Sequence, residues 1–355
     1  MVCFRGRGCQ GGLTSTRSKT FFNFMIMKRF NISLYSLFIF LSGILLMTGV
    51  SSCSRVKQAK NIVISEVMAS NRTGLLNHKG KPLDWIELKN TGDADLNLEG
   101  FQLAVVKQKV DTLSNDTVTE VSEWEFPAVI IKGGQNLIVF ANKKKNKEKM
   151  TDDDSGDDRL EKEMLDDDKP KKEKSLRANF NLPKEGAVIR FLSPTGQVLT
   201  ELTYGKLAPD QSFARKSDGA YEATYLQSPG FDNTEEGFQK ATQFMSSQRK
   251  DPLRITMATV GVSEGDESWI QLKNSGNEVV ELDEYNLSKK LGKNEAYHPL
   301  PDVELQPGET VTVIFSGAAP KAGQLSTDFK PGKAGTVVLS KEGKFVDGVC
   351  TKLTL

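Results

Sequence analysis

The stretch DWIELKNTGDADLNLEGFQLA (84–104) is written again 184 residues later as ESWIQLKNSGNEVVELDEYNLS. Trp85 answers to Trp269, Ile86 to Ile270, Leu88 to Leu272, Asn90 to Asn274, Gly92 to Gly276 and Leu103 to Leu287, without a gap. Further matches follow in the same order: Pro127…Gly134 with Pro301…Gly308, and ANFNLPKEGAVI (178–189) with TDFKPGKAGTVV (327–338). A chain that repeats a pattern at this length is expected to fold one unit twice.

The unit reads as β-structure. Short β-rich runs stand at 61–70, 84–90, 136–142, 187–193, 197–204, 254–260, 268–274, 310–316 and 335–341, separated by turns such as Asn90-Thr91-Gly92 and Pro194-Thr195-Gly196. Many short strands with almost no helical periodicity predict all-β sandwiches or barrels. In WIEL, the period of two puts Ile86 and Leu88 on one face and Trp85 and Glu87 on the other. The first pair is expected to be core, and Ile270 and Leu272 repeat it. Phe238, Ala241 and Met245 fall at helical spacing, so residues 235–252 are expected to be a short, helical linker.

The N-terminal region fixes the expected compartment. Residues 1–52 carry six basic side chains and no acidic one, and Leu34–Val50 carries no charge. That is the pattern of a secretory signal, with Met27 an alternative start. Its end, Val50-Ser51-Ser52-Cys53, resembles a bacterial lipobox, which implies lipidation of Cys53 and a tether over 53–60. Ser54-Arg55-Val56-Lys57 follows in place of acidic residues, which favours the periplasmic side of the outer membrane over surface display. Without the signal, 41 basic residues face 46 acidic ones, a net charge of −5. Nucleic-acid binding, which needs a positive footprint, is disfavoured. Cys350 is then the one remaining thiol, expected to be a small buried residue with no disulfide framework around it.

The order ISEVMASN, DWIELKNTG…LEGFQL, WEFP…KGGQNLIVFA, ANFNL…GAVIRFLSPTG…Y, QSFARKSDG and LQSPGFDN resembles the lamin-tail domain family. The resemblance covers 61–234 and implies an immunoglobulin-like β-sandwich with the closing phrase Ser228-Pro229-Gly230-Phe231-Asp232-Asn233. Residues 253–355 resemble a second, worn copy without the arginine-aspartate-glycine turn or the Pro-Gly-Asn ending. The fold expected is therefore all-β, two immunoglobulin-like sandwiches joined by a short helical linker.

Residues 143–174 hold 12 acidic and 11 basic side chains in 32 positions, too little to bury, and read as a solvated loop inserted between strands. An EF-type calcium loop starting at Asp152 fails in register, because Gly156 falls fifth instead of sixth. The sequence has no phosphate-binding Gly-rich loop, paired-Cys metal pattern, HExxH or Gly-x-Ser-x-Gly elbow, so no cofactor is expected. Once both copies are assigned, no stretch is left for a catalytic domain. The expected function is a non-catalytic, lipid-anchored binding or scaffolding module of the cell envelope, with an envelope protein or glycan as partner. Glu66, Asp84, Trp85, Glu87, Arg215 and Asp218 form the candidate binding surface. The alternative is an accessory or divergent metal-dependent hydrolase working from the Glu66/Asp84/Glu87 end.

Overall fold

The computed structural model of the chain describes residues 54–110, 117–143, 175–261, 267–315, 320–332 and 334–351. The signal region with Cys53, and nearly all of the charged insert, lie outside the described residues.

Twelve strands come first. They begin β1 (Ile62–Met68), β2 (Asp84–Asn90), β3 (Leu96–Asn97), β4 (Gln102–Val110), β5 (Thr117–Glu125) and β6 (Ile130–Ile131). They continue β7 (Asn136–Ala141), β8 (Arg177–Ala178), β9 (Ala187–Leu192), β10 (Val198–Tyr204), β11 (Ser212–Arg215) and β12 (Tyr221–Thr224). After the helix Glu235–Ser247 come β13 (Leu253–Thr259), β14 (Trp269–Asn274), β15 (Val280–Glu281), β16 (Tyr285–Ser288) and β17 (His298–Pro299). The last five are β18 (Glu304–Leu305), β19 (Thr310–Ile314), β20 (Gln324–Ser326), β21 (Thr336–Lys341) and β22 (Lys344–Cys350).

The first half pairs its strands in the orders β12-β11-β1-β2-β7-β8, β10-β9-β4-β5 and β3-β6. The second half pairs β13-β14-β19-β20, β22-β21-β16-β17 and β15-β18. Ten strands thus recur in one order with the same neighbours, and β11 and β12 have no counterpart among the described residues. The parallel pair β7–β8 recurs as β19–β20. A β-bulge between Ile64 and Glu66 recurs between Ile255 and Met257. Bulges re-aim side chains, so repeating one repeats a local geometry as well as a topology.

The repeated letters have repeated jobs. Asn90 Nδ2 donates to the carbonyls of Ala94 (2.8 Å) and Ile131 (3.4 Å), while its Oδ1 accepts from Gly92 N (3.1 Å). Asn274 does the same with Glu278 (2.7 Å), Leu305 (2.9 Å) and Gly276 N (2.9 Å). One buried amide therefore ties the turn after the second strand of each copy to the short strand that crosses it. Gly186 (φ 120) and Gly335 (φ 68) also correspond, and a Cβ there would meet Tyr204 O at 2.8 Å or Thr351 Oγ1 at 2.1 Å.

Ile64, Ile86, Leu88, Leu103, Val105 and Phe191 are all buried in the first sandwich, where Phe101 stacks on Phe191 (5.4 Å). Ile270, Leu272, Leu287, Val337, Leu339 and Phe329 form the second core. Both sandwiches belong to one compact unit, Gln58–Leu355. Arg249, just after the helix, pairs with Asp347 of β22 (2.6 Å) and donates to the carbonyl of Thr73 (2.7 Å). Asp347 also accepts from Ile255 N (2.9 Å), so its second oxygen is engaged too. With Arg249 12% and Asp347 8% exposed, the ion pair is nearly dry, and losing one partner would strand a buried charge.

Candidate functional site

The period of two correctly separates the faces of β2, but both faces prove to be covered. Trp85, Ile86, Glu87 and Leu88 are all fully buried. On the face away from the core, Glu87 stands opposite Glu66, and Trp85 opposite Met68, across the β1–β2 pair. Trp85 packs with Met68, Leu75 and Phe140, and Met245 of the helix seals this second cluster. The helix reaches that face because Thr234 caps its N-terminus, its hydroxyl accepting from Gly237 N (3.1 Å). Gly237 is required there, since a Cβ would sit 1.8 Å from the Asp232 carbonyl oxygen.

The two glutamates are covered by the closing phrase. Glu66 Oε2 accepts from the Ser228 backbone N–H (3.2 Å) and lies 3.2 Å from the Ser228 hydroxyl. Glu87 Oε1 accepts from the Ser65 hydroxyl (2.7 Å), and Oε2 from Gly230 N (2.5 Å). Ser65 is the extra residue of the bulge, which is how its hydroxyl comes to face the carboxylate. Asn233 holds the phrase down: its amide donates to the carbonyls of Ser65 and Arg215 (2.9 Å each) and its oxygen accepts from Ser228 Oγ (2.6 Å). Lys89 pairs with Asp232 at the rim.

Burial is the main influence on these carboxyls, and it disfavours the charged form. It pushes Glu66 up to about 7 against the hydrogen bonds from Ser212 and Ser228. Glu87 is raised well above the usual carboxylate range, first by burial and then by the charge of Glu66; the Ser65 and Gly230 donors and Lys89 oppose this. Asp84, half-buried at the start of β2, accepts from Asn71 N (2.9 Å) and is raised to about 7 by burial and by Asp210. Asp210, fully buried with φ 57, accepts from Arg72 N (2.7 Å) and Thr73 N (2.9 Å). It thereby shapes the loop that meets the second sandwich.

The candidate binding surface is corrected accordingly. Glu66, Trp85 and Glu87 cannot contact a partner from a fully buried position, because the helix and closing phrase cover them. Arg215 and Asp218 flank the β11–β12 turn; Asp218 is exposed and its carboxylate accepts from Ala220 N (2.9 Å). The expected convergence of acids does occur for Glu66 and Glu87, but inside the protein. The closing phrase is legible in the sequence, but its role as the seat of that pair, through Ser228, Gly230 and Asn233, is not. The signal available was two unpaired glutamates in β-rich runs beside a phrase rich in backbone donors.

In the second sandwich Met257 and Gln271 take the places of Glu66 and Glu87. The bulge hydroxyl is kept: Thr256 Oγ1 donates to Gln271 Oε1 (3.0 Å) as Ser65 does to Glu87. Nothing comparable to the closing phrase covers this face among the described residues, and Met257 is 56% exposed. The cleft of about 580 Å³ in this half is lined by Asp251, Glu278, Glu281, Glu284, Tyr285 and Lys341, among others. Within it Lys341 pairs with Glu284 and the Tyr285 hydroxyl donates to Asp251 (3.0 Å). Among the described residues no group of three or more His, Cys, Asp and Glu could hold a metal ion, and no helix is long and apolar enough to cross a membrane.

Residues 55–206 match the family model of the Lamin Tail Domain. The match stops before β11, β12 and the closing phrase, short of the span 61–234 over which the resemblance was expected. No curated protein matches the sequence. Among solved structures, two variants of an exo-chitosanase from Amycolatopsis orientalis, each with PNP-beta-D-glucosamine, are similar at 12% identity and a TM-score of 0.18. They cover 83% and 79% of this chain, which spans about a quarter of theirs (27% and 26%).

Proposed function

We propose that this chain, with its lamin-tail sandwich at 55–206, is a non-catalytic, lipid-anchored protein of the bacterial cell envelope. Its two immunoglobulin-like sandwiches serve as a binding or scaffolding module. The observation that carries the reading is the placement of Glu66 and Glu87. Hydrolytic chemistry would need such carboxylates within reach of substrate or metal. Here they lie under the closing phrase, engaged by Ser65, Ser228 and Gly230. Loops and surface side chains are where a sandwich carries binding. Partner recognition is therefore assigned to the first sandwich, with the exposed turn around Asp218 in it, and the second sandwich is a docked spacer. The partner is an envelope protein or glycan.

The reading is tested by assaying the purified protein on ester, phosphodiester and peptide substrates with magnesium, manganese, calcium or zinc. Turnover indistinguishable from blank is expected. Metal-dependent turnover that Asp84→Asn abolishes would establish the hydrolase instead. Anchoring is tested separately: Cys53→Ser should abolish labelling by a fatty-acid probe and leave an unprocessed precursor, and labelling that persists would refute lipidation at Cys53.

A further inference from the structure

Glu66 and Glu87 face each other across an antiparallel pair, where opposite Cβ atoms stand about 5 Å apart. Both are fully buried. Three of their four carboxyl oxygens accept hydrogen bonds from Ser65, Ser228 and Gly230. The fourth, Glu66 Oε1, is buried, with the Ser212 hydroxyl the nearby donor. The charged groups around the pair neutralise it only in part. Lys89 on β2 is engaged by Asp232 of the closing phrase, Arg215 on β11 meets the phrase through its carbonyl, and β7 presents Ile138 opposite Glu87. Two like charges this close in a dry site cannot both be held, so one proton is retained between them.

We propose that Glu66 and Glu87 share one proton, and that this proton is the catch of a pH-sensitive latch formed by the closing phrase Ser228–Asn233 on the β1–β2 bulge. With the proton present, the pair carries a single negative charge, matched by the donors of Ser228 and Gly230. When the proton leaves to solvent, a second charge appears in the same dry site. The phrase must then lift to let water reach the carboxylates. The helix begins directly at Thr234, so lifting the phrase loosens the helical cover over Trp85 as well. Burial raises both carboxyls, Glu66 to about 7 and Glu87 further, so the last proton of the pair is released above neutral pH.

The test is carried out on the full chain by following the carboxyl ¹³C signals of Glu66 and Glu87, together with amide exchange at Ser228 and Gly230 normalised for its intrinsic pH dependence. The expected result is a first carboxyl step near pH 7 and a second at higher pH. The closing-phrase protection should fall by about tenfold or more through the second step while Ile189 in β9 keeps its own. Glu66→Gln should leave a single step and keep the phrase protected at high pH, and Glu87→Gln serves if that variant does not fold. Two carboxyls that both titrate below pH 5, or protection that is flat with pH in the unsubstituted protein, would overturn the latch.

Discussion

Replacing Trp85 by alanine should cost far more stability than the same change at Trp269, although the two occupy one position of the repeat. Trp85 is fully buried between Met68 and Phe140, its neighbours across β1 and β7, with Leu75 and Met245 completing the shell. Its indole Nε1 has no hydrogen-bond partner, so the loss is one of packing alone. A Trp→Ala change in such a shell leaves a cavity and costs about 3–5 kcal/mol. Trp269 is half-buried on a face where the neighbouring Met257 is exposed, so roughly 1–2 kcal/mol is expected from the smaller apolar area withdrawn from water. Urea unfolding at fixed pH, followed by far-UV dichroism and by the remaining tryptophans, gives both values. Because Trp124 lies in the first sandwich, its emission reports on that half when Trp85 is gone. Equal costs, or a Trp85→Ala cost below about 1 kcal/mol, would refute the covered face and restore Trp85 as a surface residue.

Gly237→Ala should cost about 1–3 kcal/mol through overpacking, because the new methyl has only the Asp232 backbone to displace; a neutral result in thermal unfolding would contradict the tight junction between closing phrase and helix. Deleting residues 146–172 should leave the unfolding midpoint nearly unchanged, since loop length enters closure entropy only logarithmically, and a loss of several degrees would mean that the charged insert makes structural contacts. Limited proteolysis should cut first within that insert, and protection on adding calcium would revive an ion-binding role for DDDSGDD.

Much of the fold could be read from the repeated letters, because each marks a physical requirement. Ile86/Ile270 and Leu88/Leu272 fill cores, Asn90/Asn274 staple a turn, and Gly186/Gly335 permit a backbone that a Cβ would block. The β4–β5 hairpin escaped notice because TVTEVSEWE mixes polar residues with the exposed Val118 and Val121, so its alternation reports no buried face. The second cover over β2 was illegible for a different reason. A period of two says which residues share a side, but not what arrives from 150 residues away to close over it. Nothing in the letters marks the Arg249–Asp347 pair either, because each is an ordinary surface-type residue until the two sandwiches meet.

The central claim is that the buried carboxyl pair belongs to the fold, and the dependence of unfolding free energy on pH tests it most directly. Glu66 stands at about 7 in the folded chain against 4.5 as the ordinary value, so between those pH values the folded state holds a proton that the unfolded state has released. Its stabilising share is therefore complete below about pH 4.5, falls as pH rises toward 7, and is lost above it, a change of about 3 kcal/mol at 1.4 kcal/mol per pH unit. Asp84 acts in the same direction, more weakly because it is partly exposed. The protein should accordingly be more stable at pH 5 than at pH 8, and Glu66→Gln should remove a large part of that difference. Stability that rises from pH 5 to pH 8, or a slope unchanged by Glu66→Gln, would contradict the account.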